Sequence, residues 1–275
     1  MWVFCGGMFR SGSTVQYQIA SHIVERLGMG QRVGRFAPED FDQAQRAHRH
    51  HEGLLVFKSH GVSRAIREEL DANGGHVITV HRDIRDVAAS AMRKNAWSFQ
   101  HIWKKGLLDR WTRRFEEWAT LPGALVSRYD SMTSALEGEA IRIGRHLGAE
   151  IGPDLAHDIG REYSLDRQRE RTSDVAARIK RHELSTKYDD VSQLHHNHIA
   201  SGEVGIYREM LRPEEIRAVE DACGPWMLRW GYALESPALS LIGRVRRAWL
   251  GRAREAAPAT RALPAIQSGV PASTP

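Results

Sequence analysis

The first half of the chain alternates short apolar runs with amphipathic segments. The run Trp2–Cys5 ends in two glycines, a pattern typical of a buried strand that leads into a loop. Apolar side chains then recur every four residues from Val15 to Leu27, and Gly28 follows them. This spacing predicts an amphipathic helix that ends at the glycine.

Three further apolar runs predict strands at residues 53–61, 76–83 and 123–132, and helical segments separate them. Strands that alternate with helices favour a parallel sheet with helices on both faces. We therefore expect an α/β fold with three layers, α/β/α, around a central parallel sheet. Residues 30–52 are polar and rich in histidine, and we expect them to be irregular.

Aromatic side chains repeat at helical spacing in the middle of the chain, at Trp111, Phe115 and Trp118. We interpret them as one face of a helix that packs on the core rather than as ligand contacts. Residues 212–232 predict a late helix, because Pro213 and acidic residues stand in its first turn.

The character of the chain changes after residue 235. Residues 236–255 are basic and amphipathic, which suits either a last helix on the domain or a weak contact with an anionic membrane surface. Residues 256–275 are rich in Ala, Pro and Ser, and we expect them to be disordered. We expect residues 1–235 to form a single α/β domain.

Composition narrows the class of protein. The 275 residues carry 39 basic and 34 acidic side chains, and this net charge of +5 suits an anionic ligand but is too small to indicate nucleic acid.

Cys5 and Cys223 have no metal-ligand spacing, so we expect free thiols in a reducing compartment. No long apolar run is present and the apolar N-terminus is too short for a signal peptide, so we expect a cytoplasmic protein. Its oligomeric state stays open.

The segment GGMFRSGST, residues 6–14, is close to a phosphate-binding P-loop. Gly7 and Gly12 have the P-loop spacing, but Ser13 stands where that motif has its lysine. The cation of the loop is Arg10 instead. A strand before the loop and a helix after it give the setting in which backbone N–H groups bind phosphate.

Cations and hydroxyls follow the other predicted strands too. Lys58 and His60 end the second strand, and Arg82 ends the third, with Ser90 on the helix beyond it. Ligands of open parallel sheets bind at the carboxyl ends of the strands. Together with the glycine loop, these side chains predict a site for a ligand with more than one phosphate.

Carboxylates in this region do not have the pattern of a metal site. Asp83 and Asp86 follow a strand, but they alternate with Arg82 and Arg85, and we expect them to pair with these arginines. We therefore expect no metal cofactor.

These motifs resemble those of the PAPS-dependent sulfotransferases, which transfer a sulfonate from 3′-phosphoadenosine-5′-phosphosulfate (PAPS) and release PAP. The segment MFRSGSTV is similar to the family's 5′-phosphosulfate loop, and VHRDIRDVAAS is similar to its 3′-phosphate motif. The resemblance implies that Arg82 and Ser90 hold the 3′-phosphate. It implies the following residues for the 5′-phosphosulfate: Arg10, Ser11, Gly12, Ser13 and Thr14.

Three shorter segments extend the resemblance through residue 232. FKSHG resembles the family's Lys-x-His, which implies that His60 is the general base and that Lys58 assists it. SRYDSM implies that Tyr129 contacts adenine, and SGEVGIYREML implies that Ser201 and Gly202 close over the 3′-phosphate. Two features depart from the family pattern. Val15 stands where an aromatic residue often stacks on adenine, and Ala200 and Ser201 replace an Arg-Lys pair.

The resemblance implies in-line attack on sulfur by a hydroxyl or amine of a small-molecule, lipid or carbohydrate acceptor. A sulfonate has less negative charge than a terminal phosphoryl, so Arg10, Lys58 and loop amides suffice without a metal. The alternative is a P-loop nucleotide kinase or NTPase, which requires Mg²⁺. Residues 95–106 are expected to border the acceptor pocket, where Trp97, Phe99 and Trp103 either suit an apolar or sugar acceptor or belong to the core.

Overall fold

The computed structural model describes residues 1–184, 188–197, 199 and 202–235. The two expected C-terminal segments, residues 236–255 and 256–275, lie outside the described residues, as does the candidate site residue Ser201.

A parallel sheet of five strands organises the described part of the chain, in the order β2-β3-β1-β4-β5. The order places the first strand at the centre and the second at an edge. The expected α/β fold with a central parallel sheet is confirmed. The strands are β1 (Trp2–Cys5), β2 (Gly30–Arg35), β3 (Leu54–Lys58), β4 (His76–His81) and β5 (Leu125–Arg128).

Helices follow the strands and cover both faces of the sheet. A short 3₁₀ turn, Pro38–Asp40, precedes the second helix. The helices are α1 (Ser13–Arg26), α2 (Phe41–Ala47), α3 (Arg64–Asn73), α4 (Ile84–Asn95), α5 (Phe99–Lys104), α6 (Leu107–Ala119), α7 (Tyr129–Ser134), α8 (Leu136–His146), α9 (Pro153–Glu162), α10 (Leu165–Lys180), α11 (Tyr207–Met210) and α12 (Pro213–Arg229).

Alternation along β1 divides the core between the two faces. Val3 and Cys5 pack against α1, α8 and α9 on one face, whereas Trp2 and Phe4 pack against α2, α3 and α6 on the other. Successive side chains of a strand point to opposite faces, so a strand buried on both sides is apolar throughout. This explains why β1 was evident from its sequence.

The aromatic residues of α6 are core residues, as expected. Trp118 and Phe115 are fully buried, and Trp111 is nearly so. The expected free thiols are confirmed as well, since Cys5 and Cys223 are both buried and unpaired. Within the described residues, no helix has the length and apolar character needed to cross a bilayer.

The interpretation of residues 30–52 as irregular is wrong, because they contain β2, the 3₁₀ turn and α2. The strand has the sequence GQRVGR and its side chains are only partly buried. It lies at the edge of the sheet and pairs with β3 alone, with a register shift between Arg32 and Gly34. A polar edge strand has no apolar alternation, so its sequence resembles that of a loop.

The predicted strand at residues 123–132 is too long at its carboxyl end. The structure has β5 at Leu125–Arg128, and the helix α7 begins directly at Tyr129.

Close packing of the central strand gives a test of the fold. A Cβ atom on Gly6 would lie 2.4 Å from the ring of Trp118, which is fully buried and cannot move aside freely. We expect Gly6→Ala to lower the free energy of unfolding by about 1–3 kcal/mol, as overpacked cores do. Urea denaturation measures this change.

The matched control is Gly138→Ala in α8, where a new Cβ meets nothing within 4 Å. Alanine there should stabilise the protein by about 0.5–1 kcal/mol, because it restricts the unfolded chain and favours the helix. Equal unfolding free energies for Gly6→Ala and wild type would contradict the packing described above.

Candidate active site

The loop between β1 and α1 is held in a tight conformation. Arg10 has a φ of 62° and Gly12 a φ of 90°, both in the left-handed region. The hydroxyl of Ser11 lies 2.6 Å from the carbonyl oxygen of Met8 and 2.9 Å from that of Val80. Ser11 is fully buried, so its side chain fixes the turn and does not face the cleft. Gly12 precedes α1 and has no side chain to cap it, which leaves first-turn N–H groups available to an anion.

Lys58 and Thr14 meet beside this loop. The Lys58 ammonium at the end of β3 donates to Thr14 Oγ1 at 2.5 Å. Burial, together with the positive charge of Arg35, lowers the pKa of Lys58 to about 7. Ser13 and Thr14 are the first two residues of α1 and are both buried. A lysine, a hydroxyl and a helix N-terminus therefore converge on one small volume.

His60 lies next to the loop and is half-buried. Its Nδ1 is 3.4 Å from the carbonyl oxygen of Gly7. Because a carbonyl can only accept, this contact favours the tautomer that carries its proton on Nδ1 and leaves Nε2 as the acceptor. Burial, then the charges of Lys58 and Arg35, lower the pKa of His60 to about 3, so the imidazole is neutral near pH 7.

Arg10 lies between the two halves of the site. Its Nε donates to Ser90 Oγ at 3.0 Å, so the structure brings the loop cation to the helix that carries the expected 3′-phosphate ligand. Burial and the nearby charge of Arg82 lower the pKa of Arg10 to about 10. The guanidinium remains charged at neutral pH.

Arg82 is buried at the end of β4. Its guanidinium carbon lies 4.2 Å from the centre of the Tyr129 ring, and its Nη2 donates to the carbonyl oxygen of Glu203 at 2.5 Å. Its Nε is 3.6 Å from Asp86 Oδ2, an ion pair without a short hydrogen bond. The expected pairing of Asp86 with Arg82 and of Asp83 with Arg85 is confirmed.

The late glycine segment is anchored to the same place. Asp86 accepts hydrogen bonds from the backbone N–H groups of Gly205 and Tyr207, at 2.9 and 3.1 Å. Tyr129 donates its hydroxyl to the carbonyl oxygen of Gly202 at 2.7 Å. Burial raises the pKa of Asp86, and the positive charge of Arg82 opposes this rise. Gly202 therefore lies beside Arg82 and Tyr129, although more than 70 residues separate it from Tyr129 in the chain.

Two clefts meet at the loop. The first contains Arg82, Ser90, Tyr129 and Gly202. The second, of about 500 Å³, contains Ser13, Lys58 and His60. Both clefts share Arg10, Gly12 and Thr14. A single extended anionic ligand could lie across them, with one charged group at Lys58 and another at Arg82.

Several lining residues were not evident from the sequence. The first cleft is also lined by aliphatic side chains, namely Val15, Leu136, Leu165 and Leu194. The second cleft also contains Arg35 and Lys94. Lys94 lies one helical turn after Ser90, a spacing that could have revealed it. Arg35 ends β2, the edge strand whose polar sequence resembles that of a loop.

The aromatic residues Trp97, Phe99 and Trp103, in and just before α5, do not line either of these two clefts. From residues 95–106, Asn95 is the one that does. Phe99 is buried in the core, and Trp103 stacks on it with 44% of its surface exposed. Trp97 packs partly against the core and lies against His101. The interpretation of these aromatic side chains as core residues is therefore favoured for Phe99 and Trp97.

Metal-ligand side chains do not cluster in the part of the chain that the structure describes. No group of three or more His, Cys, Asp or Glu residues there has the arrangement needed to hold an ion.

Comparison with known proteins gives a family match and a fold match. The sulfotransferase domain family matches residues 3–231. A retinol dehydratase in complex with androsterone and inactive cofactor PAP is 17% identical, with a TM-score of 0.58 over 86% of this chain and 83% of its own. A mouse sulfotransferase, SULT7A1, complexed with PAP is 13% identical, with a TM-score of 0.55 over 90% of this chain and 88% of its own. No curated protein matched the sequence.

At these identities the solved structures show the fold alone, whereas the family match rests on the sequence. Because that match spans most of the chain, from β1 to the end of α12, this protein belongs to the sulfotransferase domain family, the PAPS-dependent family that its motifs resemble.

Proposed function

We propose that this sulfotransferase binds PAPS across both clefts and transfers the sulfonate to a hydroxyl or amine of an acceptor in the second cleft. The observation that carries the proposal is the junction at Arg10, Gly12 and Thr14, where the two clefts meet. Cations on either side of this junction match a ligand with two separate anionic groups. The family match favours a sulfotransferase over a nucleotide kinase.

The 5′-phosphosulfate would lie at the N-terminus of α1. Lys58 and Thr14 are already in contact there, and the first-turn N–H groups of α1 face the same volume. Arg10 would reach the phosphosulfate from the other side. Charge-assisted hydrogen bonds of this kind are roughly twice as strong as neutral ones, so these groups can stabilise the phosphate oxygen that leaves.

The 3′-phosphate would lie at Arg82 and Ser90. Nη2 of Arg82 donates to the carbonyl oxygen of Glu203, but the buried Nε of Arg82 has no hydrogen-bond partner among the described residues. Ser90 faces the same cleft and accepts from Arg10. A phosphate here would therefore be close to two guanidinium groups and one hydroxyl, which is suited to a dianion.

Adenine would lie against the aliphatic side chains of the first cleft. Val15 and Leu165 offer aliphatic surfaces in place of the stacking aromatic that the family often has after the loop. Gln168 lines the same cleft and is nearly fully buried; its Nε2 donates to Gln18, but its Oε1 has no partner among the described residues. That oxygen would accept a hydrogen bond from the amino group of adenine, because a buried acceptor without a donor is costly.

In the reaction, the acceptor oxygen or nitrogen attacks sulfur opposite the 5′-phosphate. The new bond to sulfur forms as the bond between sulfur and the phosphate oxygen breaks, and PAP leaves with the electron pair. The acceptor's proton moves to Nε2 of His60. The neutral imidazole can accept this proton. The negative charge of the phosphosulfate beside Lys58 offsets the positive charges that lower the pKa of His60.

His60 is expected to act in the transition state rather than in binding. Once an acceptor is identified by its gain of one sulfonate mass with PAPS, His60→Ala should lower kcat by at least ~100-fold, the lower limit for a general base. The Kd for PAP should stay unchanged, because the base contributes only as the proton moves. His157→Ala, at an exposed histidine on α9, is the control. A variant that keeps more than about a tenth of the wild-type kcat would exclude His60 as the base.

The 3′-phosphate site predicts selectivity between nucleotides. Wild-type protein should bind 3′,5′-ADP at least ~10-fold more tightly than 5′-AMP, because hydrogen bonds between charged groups contribute about 1.5–3 kcal/mol each. Ser90→Ala should weaken 3′,5′-ADP binding by about 3–10-fold, and Arg82→Ala by more. Neither variant should change 5′-AMP binding. Calorimetry measures all of these affinities.

Arg82→Ala also removes the cation that pairs with the buried Asp86, so the stability of this variant must be checked. Ser90→Ala does not carry this risk, and Ser131→Ala on α7 is its exposed control. Equal affinity of wild type for the two nucleotides would overturn the proposed function. If the variants lost affinity for both nucleotides equally, Arg82 and Ser90 would not be ligands of the 3′-phosphate.

Binding of PAP should take up protons above neutral pH. Without a bound nucleotide the pKa of Lys58 is about 7, so its amine is mostly neutral at pH 8. A bound 5′-phosphate favours the charged form and raises this pKa, so the complex takes up protons at pH 8. At pH 6 the amine is mostly charged already and contributes little uptake. Calorimetry in buffers of different ionisation enthalpy gives the number of protons.

Lys58→Met should abolish most of the uptake at pH 8, whereas Lys104→Met, at an exposed lysine of α5, should not. Uptake that is the same at pH 6 and pH 8, or that persists in Lys58→Met, would show that the 5′-phosphate does not lie against this lysine.

A further inference from the structure

The second cleft has more cations than the phosphosulfate requires. Arg35 and Lys94 line it in addition to Arg10 and Lys58, and the imidazoles of His195 and His196 line it as well. None of the described residues that line this cleft is an aspartate or a glutamate. Arg35 and Lys94 also form no ion pair with the described residues, in contrast to most other arginines of the domain.

The backbone fixes both cations at the mouth of the transfer site. Arg35 is the register partner of Lys58, at the ends of the adjacent strands β2 and β3. Lys94 is on the last turn of α4, four residues after Ser90, and its carbonyl oxygen accepts from the side chain of Asn197. The two side chains therefore approach the cleft from different elements, at the place where an acceptor must reach His60.

Electrostatics agrees with this absence of carboxylates among the described lining residues. Burial, then the charges of Arg10 and Arg35, lower the pKa of Lys94 to about 8. Burial, with the charges of Lys94 and Arg35 next, lowers the pKa of His195 to about 4. Arg35 is exposed but Lys94 is only partly so, and the positive charge of Lys94 beside those of Arg10 and Arg35 is unfavourable unless an anion binds between them.

The cofactor has other partners in the proposed function. Its phosphosulfate is matched by Arg10, Lys58 and the start of α1, and its 3′-phosphate by Arg82 and Ser90. Arg35 and Lys94 therefore remain for the other substrate. The aromatic side chains expected to contact an acceptor, Trp97, Phe99 and Trp103, do not line this cleft.

We propose that the acceptor is itself an anion: a hydroxyl or amino compound with a phosphate, sulfate or carboxylate group that lies between Arg35 and Lys94. Its reactive group then faces Nε2 of His60, and its charged group is held away from the sulfur. This inference rests on the proposed function, because it assumes that PAPS occupies the loop. Arg35 and Lys94 would then favour a negatively charged acceptor over a neutral one.

The test uses the protein saturated with 3′,5′-ADP, so that the loop and the 3′-phosphate site are filled. Inorganic phosphate, sulfate and acetate are titrated separately by calorimetry, which distinguishes a phosphate or sulfate group from a carboxylate. We expect at least one of the three to bind to wild type. Arg35→Gln and Lys94→Gln should each weaken that binding by about tenfold without changing the affinity for 3′,5′-ADP. The controls are Arg67→Gln and Lys104→Gln, at exposed positions of α3 and α5.

Each outcome is decisive. If none of the anions binds to the complex, the inference is wrong although the proposed function stands. If an anion binds but Arg35→Gln and Lys94→Gln do not weaken it, the anion occupies the sulfonate position beside Lys58, and the inference is again wrong. If both variants instead weaken 3′,5′-ADP binding, the two cations serve the cofactor. If 3′,5′-ADP itself fails to bind, the proposed function fails first.

Discussion

The parallel order of the sheet brings the charged strand ends to one edge. With β1 at the centre and β3 and β4 beside it, the carboxyl ends of three neighbouring strands lead into Arg10, Lys58 and Arg82. The outer strand β2 adds Arg35 next to Lys58. The proposed binding of PAPS and the inferred charge of the acceptor both depend on this placement, which an antiparallel arrangement of the same strands would not give.

Collecting cations at one edge of the sheet has an electrostatic cost. Burial and neighbouring positive charges lower the pKa of Lys58 to about 7 and that of Lys94 to about 8. Arg10 adds a left-handed backbone conformation that a residue with a side chain rarely adopts. Backbone strain and perturbed pKa values of this kind cluster at functional sites, where the surrounding structure maintains them. The phosphates of the cofactor and a charged acceptor would offset the positive charge.

Local patterns predicted the parts of the site that lie close together in sequence. The glycine loop, the Lys-x-His segment and the spacing of Arg82 and Ser90 each belong to one strand and the turn or helix after it. Contacts between distant segments could not be predicted in this way. The hydrogen bond from Arg10 to Ser90 and the anchoring of Gly205 by Asp86 exist only because β1 and β4 are neighbours. The polar strand β2 was missed, and Arg35 with it, because an edge strand need not be apolar.

A crystal structure of the protein with 3′,5′-ADP would test most directly whether one nucleotide spans both clefts. We expect the 5′-phosphate within hydrogen-bond distance of Lys58 and Thr14, the 3′-phosphate against Arg82 and Ser90, and adenine against the aliphatic side chains of the first cleft. A 3′-phosphate that points into solvent, or that lies between Arg35 and Lys94, would contradict it.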